Sequence, residues 1–233
     1  MATRTRRAER REEPLSRERI VGAAVELLDE AGETGLTFRA LTERLATGPG
    51  AIYWHVANKD ELLAAATSAA VTTALASEPA GPPDKPDVAI RAIALGLFDA
   101  IDEHPWLGTQ LAVQISRSPW QSAAPRILER IGRQVQALGV PESSRFTTIF
   151  ALVYYILGAA GQNAVNRASA RVLRPGMARS EYLDAVVTQW EALDPDEYPF
   201  IRAAAGQLRD HDDRLEFLAG VDLILAGITA AYQ

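Results

Sequence analysis

The sequence contains no cysteine and only three histidines. Without thiols there is no disulfide framework, thiolate metal site or cysteine nucleophile. No two histidines stand four residues apart as a helical metal site requires, and no glycine-rich phosphate loop or nucleophile elbow occurs. We therefore expect neither metal nor other cofactor, and no enzyme. The adjacent Asp102, Glu103 and His104 keep an all-α enzyme acting on a small molecule as the weaker alternative.

Long apolar runs are also missing. The longest, over 149–161, has 13 residues, whereas a membrane helix needs about 18 to 20. The basic N-terminus is not followed by the apolar segment of a secretory signal. We expect a cytoplasmic protein with no membrane partner.

The net charge of −6 over 233 residues is unevenly distributed. Residues 1–11 hold a single glutamate and five arginines, so this segment carries +4 and the remainder −10; the arginines are Arg4, Arg6, Arg7, Arg10 and Arg11. A basic N-terminal arm over 1–15 favours an anionic partner. A solubilising tail with no partner is the alternative.

Apolar residues recur at three- and four-residue spacing and no alternating strand appears, which predicts an all-α fold. Ser16 is placed to cap a first helix ending at Gly32, and Thr37 a short second helix. A third short helix starts near Gly48 with Pro49 in its first turn. The Asn58/Glu61 capping box opens a fourth helix, which runs to about residue 76.

Four prolines and a glycine over 77–87 predict a linker. It separates a DNA-binding domain with its connecting helix, 16–76, from a larger helical domain, 88–233. Helices in the second domain are predicted at about 88–103, 105–116, 123–138, 144–169, 179–192, 196–210 and 212–231.

The second and third helices, joined by a tight turn at 46–48, have the proportions of a helix-turn-helix. The third helix would then enter the major groove, where the small residues Pro49, Gly50 and Ala51 let the backbone approach the bases. The aromatics Tyr53, Trp54 and His55 suit a surface that meets phosphates. A three-helix bundle without DNA-binding function is the alternative.

Three segments resemble the signature of the TetR family of transcriptional regulators: LTFRAL at 36–41, GAIYWHV at 50–56 and NKDELL at 58–63. The Tyr-Trp-His form resembles the tetracycline-repressor branch, as does the stretch over 200–227. The resemblance implies that the protein binds double-stranded operator DNA. The binding site would be formed by Thr37, Arg39, Gly48, Pro49, Gly50, Ala51, Tyr53, Trp54, His55 and Lys59.

Within that set the resemblance implies distinct roles. Arg39 would contact a base or a phosphate, while Tyr53, His55 and Lys59 would hold the DNA backbone. Many relatives have a hydroxyl or amide residue where Gly48 and Pro49 stand, so Arg39 and the arm carry more of the base readout here. Arg6 and Arg7 are the arm residues we expect in the minor groove.

The two most apolar helices, 144–169 and 212–231, carry small residues at seven-residue spacing. The pairs are Ala151 with Gly158 and Gly220 with Gly227. Two such helices from each of two subunits would form a four-helix interface. An intramolecular core is the alternative, but a helix-turn-helix that reads two half-sites favours a two-fold homodimer.

The remaining helices are expected to enclose an effector pocket for a largely apolar small molecule. Aromatic and amide side chains are the candidates to line it: Phe98, His104, Trp106, Gln110, Gln114, Trp120, Tyr154, Tyr155, Gln162, Asn163 and Asn166. Residues such as Trp106 and Tyr155 are more often part of a core than ligand contacts, and His104 before Pro105 is more typical of a structural turn. The amides over 162–166 are equally compatible with a solvated helix end.

The sequence therefore predicts a ligand-responsive transcriptional regulator. The leading hypothesis is a repressor that binds a palindromic operator as a dimer and is released by a small molecule. A ligand-independent DNA-binding regulator or an activator would share the first domain.

Overall fold

The computed structural model describes residues 14–76, 85–120, 123–173 and 176–232. Over these residues the secondary structure is helical, without strands, which confirms the all-α prediction. The helices are α1 (Arg17–Gly35), α2 (Phe38–Arg44), α3 (Pro49–Tyr53), α4 (Lys59–Ala76), α5 (Pro86–Glu103), α6 (Trp106–Arg117), α7 (Ala123–Ala137), α8 (Glu142–Leu173), α9 (Arg179–Glu191), α10 (Pro199–Ala204) and α11 (Asp213–Tyr232).

The first three helices begin where their caps predict. The Ser16 hydroxyl accepts from the Arg19 N–H at 3.2 Å, and the Thr37 hydroxyl accepts from the Ala40 N–H at 3.1 Å. Gly48 is the N-cap residue of α3 and Pro49 its first residue. Between α2 and α3, Ala46 takes a left-handed φ of 49°, a conformation more usual for glycine.

Two compact units divide the chain, the first ending at Ala66 and the second beginning at Thr67. The first is held by one apolar core from α1, α2, α3 and the start of α4. Its buried side chains include Ile20, Ala24, Leu28, Leu36, Leu41, Ile52, Val56 and Leu62.

The core of the second unit lies mainly between α5 and α8, with α7 and α11 packed beside them. Buried side chains from these helices include Ile90, Ile93, Leu97, Ile127, Ile131, Leu152, Ile156, Phe217 and Val221. Residues 67–76 of α4 belong to this unit. A Cβ added at Gly96 of α5 would lie 2.5 Å from the Ala74 carbonyl oxygen, so the two backbones approach closely there.

Several predicted boundaries differ from the structure. The first helix, predicted to end at Gly32, continues to Gly35 across a kink at which Gly32 takes a left-handed φ of 63°. The helix predicted over 144–169 extends from Glu142 to Leu173.

Instead of one helix over 196–210, α10 begins at Pro199 and tightens after Ala204 into a 3₁₀ segment, Ala205–Leu208. The Asp194 carboxylate accepts from two backbone N–H groups, at 2.9 and 3.1 Å, and so forms a turn before Pro199. Most of the predicted linker, 77–84, lies outside the described residues, and α5 already begins at Pro86.

Two helices are long and apolar enough, by length and composition, to cross a membrane: residues 142–169 of α8 and the whole of α11. The sequence prediction had excluded such helices because it counted only uninterrupted apolar runs. Averaged hydropathy tolerates the interspersed polar residues, which corrects that argument. Within the second unit 39% of the α8 window and 22% of the α11 window are buried. Large apolar side chains are exposed on both helices, among them Phe146, Tyr154 and Val165 on α8 and Leu215 and Leu223 on α11.

Candidate nucleic-acid interface and effector cavity

The face of α3 carries exposed aromatics on a buried anchor. Ile52 is fully buried and fixes the helix to the core, whereas Tyr53 is 54% and Trp54 89% exposed. The Tyr53 ring stacks on Phe38 of α2 with centroids 4.6 Å apart and planes at 14°. This stack fixes the Tyr53 ring at the surface, where it can meet a partner without first being ordered.

The N-terminal part of α3 is bare. Gly48, Pro49 and Gly50 are exposed and Ala51 is half-buried. A Cβ added at Gly48 or Gly50 would meet no atom within 4 Å in residues 14–76 or the other described segments. The residues predicted to face base edges therefore form a smooth surface with no polar side chain.

A clamp, formed by Arg17, His55, Ala57 and Glu61, ties α1 to the segment after α3. The Arg17 guanidinium donates to the His55 carbonyl oxygen and to the Glu61 carboxylate, both at 2.9 Å. The other Glu61 oxygen accepts from the Ala57 N–H at 2.8 Å. The Ala57 N–H, followed by Arg17, lowers the pKa of Glu61 below its ordinary value. The clamp positions the Tyr-Trp-His segment from behind.

The capping-box pattern in the sequence identified Glu61 of this clamp but not its partners. Asn58 accepts from the Glu61 N–H at 2.8 Å, as a capping box requires. The Glu61 side chain, however, reaches the Ala57 N–H rather than that of Asn58. Arg17 was not predicted, because a contact 44 residues away leaves no local pattern.

The cations predicted to meet DNA are engaged within the chain. Arg39 pairs with Glu43 at 2.9 Å on the exposed face of α2. The Lys59 ammonium donates to the Glu33 carbonyl oxygen at 2.6 Å. Between residues 16 and 66 there are five basic and eight acidic residues. Arg6 and Arg7 of the predicted arm lie outside the described residues.

A cavity of about 790 Å³ lies in the second unit. It is bounded by the end of α5, the second half of α8, the segment leading into α9 and the start of α11. The lining residues are Phe98, Asp99, Asp102, Asn163, Arg167, Gly176, Met177, Arg179, Tyr182, His211, Asp212, Asp213 and Arg214.

Ion pairs dominate the wall of this cavity. Arg167 pairs with Asp102 and Arg214 with Asp99. Asp213 accepts from Arg179 at 2.7 Å. Each guanidinium has five N–H donors, so donors remain for a ligand beyond these pairs.

Asn163 is the most buried polar residue of the wall, at 6% exposure. Its amide nitrogen donates to Asp102 at 3.3 Å, while its buried amide oxygen has no hydrogen-bond partner among the residues that the structure describes. A buried acceptor left unsatisfied is costly, and a ligand donor would relieve that cost.

Of the predicted pocket residues, the cavity brings together Phe98 and Asn163. Gln110 and Gln114 are buried on α6, and no described residue forms a hydrogen bond with the Gln114 side-chain oxygen. Four others are exposed outside the cavity: Trp120, Tyr154, Gln162 and Asn166.

His104 caps α5, and its ring lies beside that of the buried Trp106 with centroids 5.8 Å apart. Tyr155 stacks on Phe217 and donates to the Phe217 carbonyl oxygen at 3.0 Å. Burial, followed by nearby Glu216, raises the pKa of Tyr155. Its hydroxyl therefore remains a donor over the physiological range.

The four predicted interface residues separate into two groups. Ala151, Gly158 and Gly227 are exposed, and a Cβ at either glycine would have no atom of the described residues within 4 Å. At Gly220 a Cβ would overlap the Tyr155 hydroxyl. Gly220 thus serves the packing of α11 on α8 within one chain.

Comparisons with known proteins agree with this architecture. The sequence profile of bacterial regulatory proteins of the tetR family matches residues 20–66. The transcriptional regulator SCO7222, a TetR from Streptomyces coelicolor, is 63% identical and superposes with a TM-score of 0.85, over 94% of this chain and 100% of that one. This chain belongs to the TetR family of transcriptional regulators.

More distant TetR proteins share less. Tetracycline repressor protein class C of Escherichia coli is 47% identical over 58 residues, which are 25% of this chain and 26% of that protein. A particular closeness to that branch over the rest of the chain stays a prediction. ActR of Streptomyces coelicolor, solved with actinorhodin, shares the fold, with 23% identity and a TM-score of 0.75 over 95% of this chain and 98% of that one.

Proposed function

We propose that this TetR-family regulator is a homodimeric repressor, which binds a palindromic operator and releases it when a small molecule occupies its C-terminal unit. The observation that carries the DNA-binding part is the face of α3. Exposing Tyr53 and Trp54 is unfavourable unless they meet a surface, and the Phe38 stack and the Arg17 clamp hold this segment in place. A helix-turn-helix binds double-stranded DNA, so the partner we propose for this surface is operator DNA in the cytoplasm.

The dimer is supported by the exposed faces of α8 and α11. Leu223 is 75% and Tyr154 64% exposed, and Gly158 and Gly227 leave room for close approach. Exposed apolar side chains on two helices that pack side by side suit a two-fold four-helix interface. The intramolecular alternative accounts for Gly220 but leaves these other residues unexplained.

The cavity supports an effector with polar groups, rather than the largely apolar molecule we expected from the sequence. The ion pairs Arg167–Asp102, Arg179–Asp213 and Arg214–Asp99 offer both donors and acceptors, and the buried Asn163 oxygen has no donor within the described part of the chain. Phe98, Met177 and Tyr182 add an apolar part to the wall. An amphiphilic molecule that carries both a hydroxyl or amine donor and oxygen acceptors fits this lining.

Release from DNA follows from linkage. The effector must bind the conformation that is incompetent for DNA more tightly than the competent one, and its effect cannot exceed that difference in affinity. Regulation rather than catalysis is therefore the role we propose for the cavity.

The test combines DNA and ligand. Duplexes enriched from a random library by the full-length protein give the operator, and mass spectrometry of molecules released by heat from the purified protein gives candidate effectors. We expect these molecules to weaken operator binding, and Asn163→Leu to abolish their effect while leaving operator affinity unchanged. Tighter binding with the molecule would indicate an activator, no response a ligand-independent regulator, and chemical turnover an enzyme.

A further inference from the structure

The wall of the cavity in the second unit differs between its inner and its outer part. Phe98 is buried, and Asp102 follows it by one turn of α5 with a side chain that is 25% exposed. The arginine side chains among the described lining residues are 42 to 50% exposed, and each pairs with an aspartate. The cationic donors of the wall therefore lie in its outer part.

The inner part presents hydrogen-bond acceptors. The Asp102 carboxylate accepts from the Asn163 amide at 3.3 Å and from the Arg167 guanidinium. Each carboxylate oxygen has a second lone pair, so Asp102 can accept further hydrogen bonds. The buried Asn163 oxygen has no donor in the described part of the chain. This part of the cavity therefore suits a ligand that brings hydrogen-bond donors.

The charge of Asp102 and two aromatic rings favour a donor that is a cation. A hydrogen bond between an ammonium group and a carboxylate is roughly twice as strong as one between neutral groups. Phe98 and Tyr182 line the same cavity, and the face of an aromatic ring attracts a cation. A carboxylate on the ligand would instead place a second negative charge beside Asp102 and leave the Asn163 oxygen without a donor.

We propose that the cavity binds an amine, whose protonated amino group donates to Asp102 and Asn163 in the inner part of the wall. The apolar body of the molecule packs on Phe98 and Tyr182, and its oxygen acceptors meet the arginines of the outer part. This inference rests on the proposed function and deepens it, because it names the charged group that the effector carries. Asp102 is the residue that determines specificity for this group.

The experiment compares three probes that share a phenyl ring and a two-carbon chain: phenethylamine, phenethyl alcohol and phenylacetate. At pH 7 the first is a cation, the second neutral and the third an anion. Their Kd values for the full-length protein are measured by NMR titration. We expect the amine to bind about 10-fold more tightly than the alcohol, because its hydrogen bond to the carboxylate is charge-assisted. The anion should bind more weakly than the alcohol.

An isosteric variant connects this preference to Asp102. Asp102→Asn removes the charge and keeps the size of the side chain, so the affinity for the amine should fall to that for the alcohol, which should change little. Asp184→Asn is the matched control, since Asp184 also pairs with an arginine, Arg209 at 3.5 Å, but does not line the cavity. This variant should keep the 10-fold preference.

The outcomes separate the amine site from the proposed function. If the parent shows no preference for the amine, or Asp102→Asn retains it, the amine site is wrong. The proposed function still stands in that case if copurified molecules without an amino group release the operator. If the preference is found and lost as expected, but no amine that binds the cavity alters operator affinity, the amine site stands and the proposed release by an effector is overturned.

Discussion

The two units of the chain build their sites in different ways. The candidate DNA face uses residues from 37 to 61, on two short helices, the turns beside them and the first turn of α4. The cavity draws its wall from four separate segments between residues 98 and 214. A site made of neighbouring residues leaves a pattern in the sequence, whereas a site assembled by packing does not. In the first unit the helix starts and caps therefore follow the sequence prediction, while the residues that contact DNA stay a prediction.

The largest expected effect comes from the exposed face of α8 and α11 in the second unit, where we predict the dimer interface. Replacing Gly227 with leucine should force two subunits apart, because overpacking costs about 1 to 3 kcal/mol at each copy of the site. Loss of the dimer removes the gain from tethering two readers, so operator affinity should fall by a factor on the order of 10² or more. Sedimentation and a gel shift on the same sample measure both effects.

Two glycine controls sharpen that result. Gly22→Leu, at an exposed helical glycine of the first unit, should remain dimeric. Gly220→Leu should instead lower the melting temperature, because its side chain would collide with Tyr155 inside one chain. A dimeric Gly227→Leu variant with normal DNA binding would move the subunit interface elsewhere.

The next largest effect concerns the charge of the first unit. Its residues from 16 to 66 include more acids than bases, so the five arginines of residues 1–11 are expected to supply much of the attraction to phosphates. Deleting residues 2–11 should weaken operator binding by up to about 100-fold at low salt. The slope of log affinity against log salt should become shallower by about 0.9 for each phosphate that the arm no longer neutralises. An unchanged slope would make the arm a solubilising tail.

Replacing Arg39 tests whether a charged side chain of the DNA face contributes to sequence recognition. Arg39→Ala should cost about 1 to 3 kcal/mol on the operator and alter sequence preference if the guanidinium leaves Glu43 for a base. Lys59→Ala should weaken binding equally on operator and random DNA. Affinities on both duplexes decide the matter, since equal losses for Arg39→Ala would reduce it to a phosphate contact.

The predictable part of the molecule is the part governed by local rules. The caps at Ser16 and Thr37, the start of α3 at Pro49 and the all-α class follow from patterns a few residues long. The family resemblance rests on the same stretch. For all of these, neighbouring residues carry the information.

The rest depended on tertiary contacts. Asp102 pairs with Arg167 across 65 positions, and Arg214 with Asp99 across 115, so neither ion pair has a sequence signature. Residue type alone makes the aromatic side chains pocket candidates, but Trp120 and Tyr154 are exposed outside the cavity. Gly220 and Gly227 stand seven residues apart on one helix, but their surroundings differ. Gly220 packs against the Tyr155 ring, whereas Gly227 is exposed.

The smallest expected effect tests the clamp that supports the DNA face. The N–H of Ala57 and the charge of Arg17 lower the pKa of Glu61 in the folded state, so this carboxylate stabilises the fold above its unfolded pKa of about 4.3. That contribution is lost as the pH falls through the lowered folded value. Glu61→Gln should therefore reduce the free energy of unfolding at pH 7 by about 0.5 kcal/mol, a small value because solvent screens the Arg17 pair. Denaturant titrations from pH 7 down to pH 3 should show the parent and variant converging, and Arg17→Met should add little to Glu61→Gln in a double-mutant cycle. If the difference in free energy of unfolding between parent and variant is constant over this pH range, Glu61 acts through packing and neutral hydrogen bonding. The charge of Glu61 would then contribute nothing measurable to the clamp.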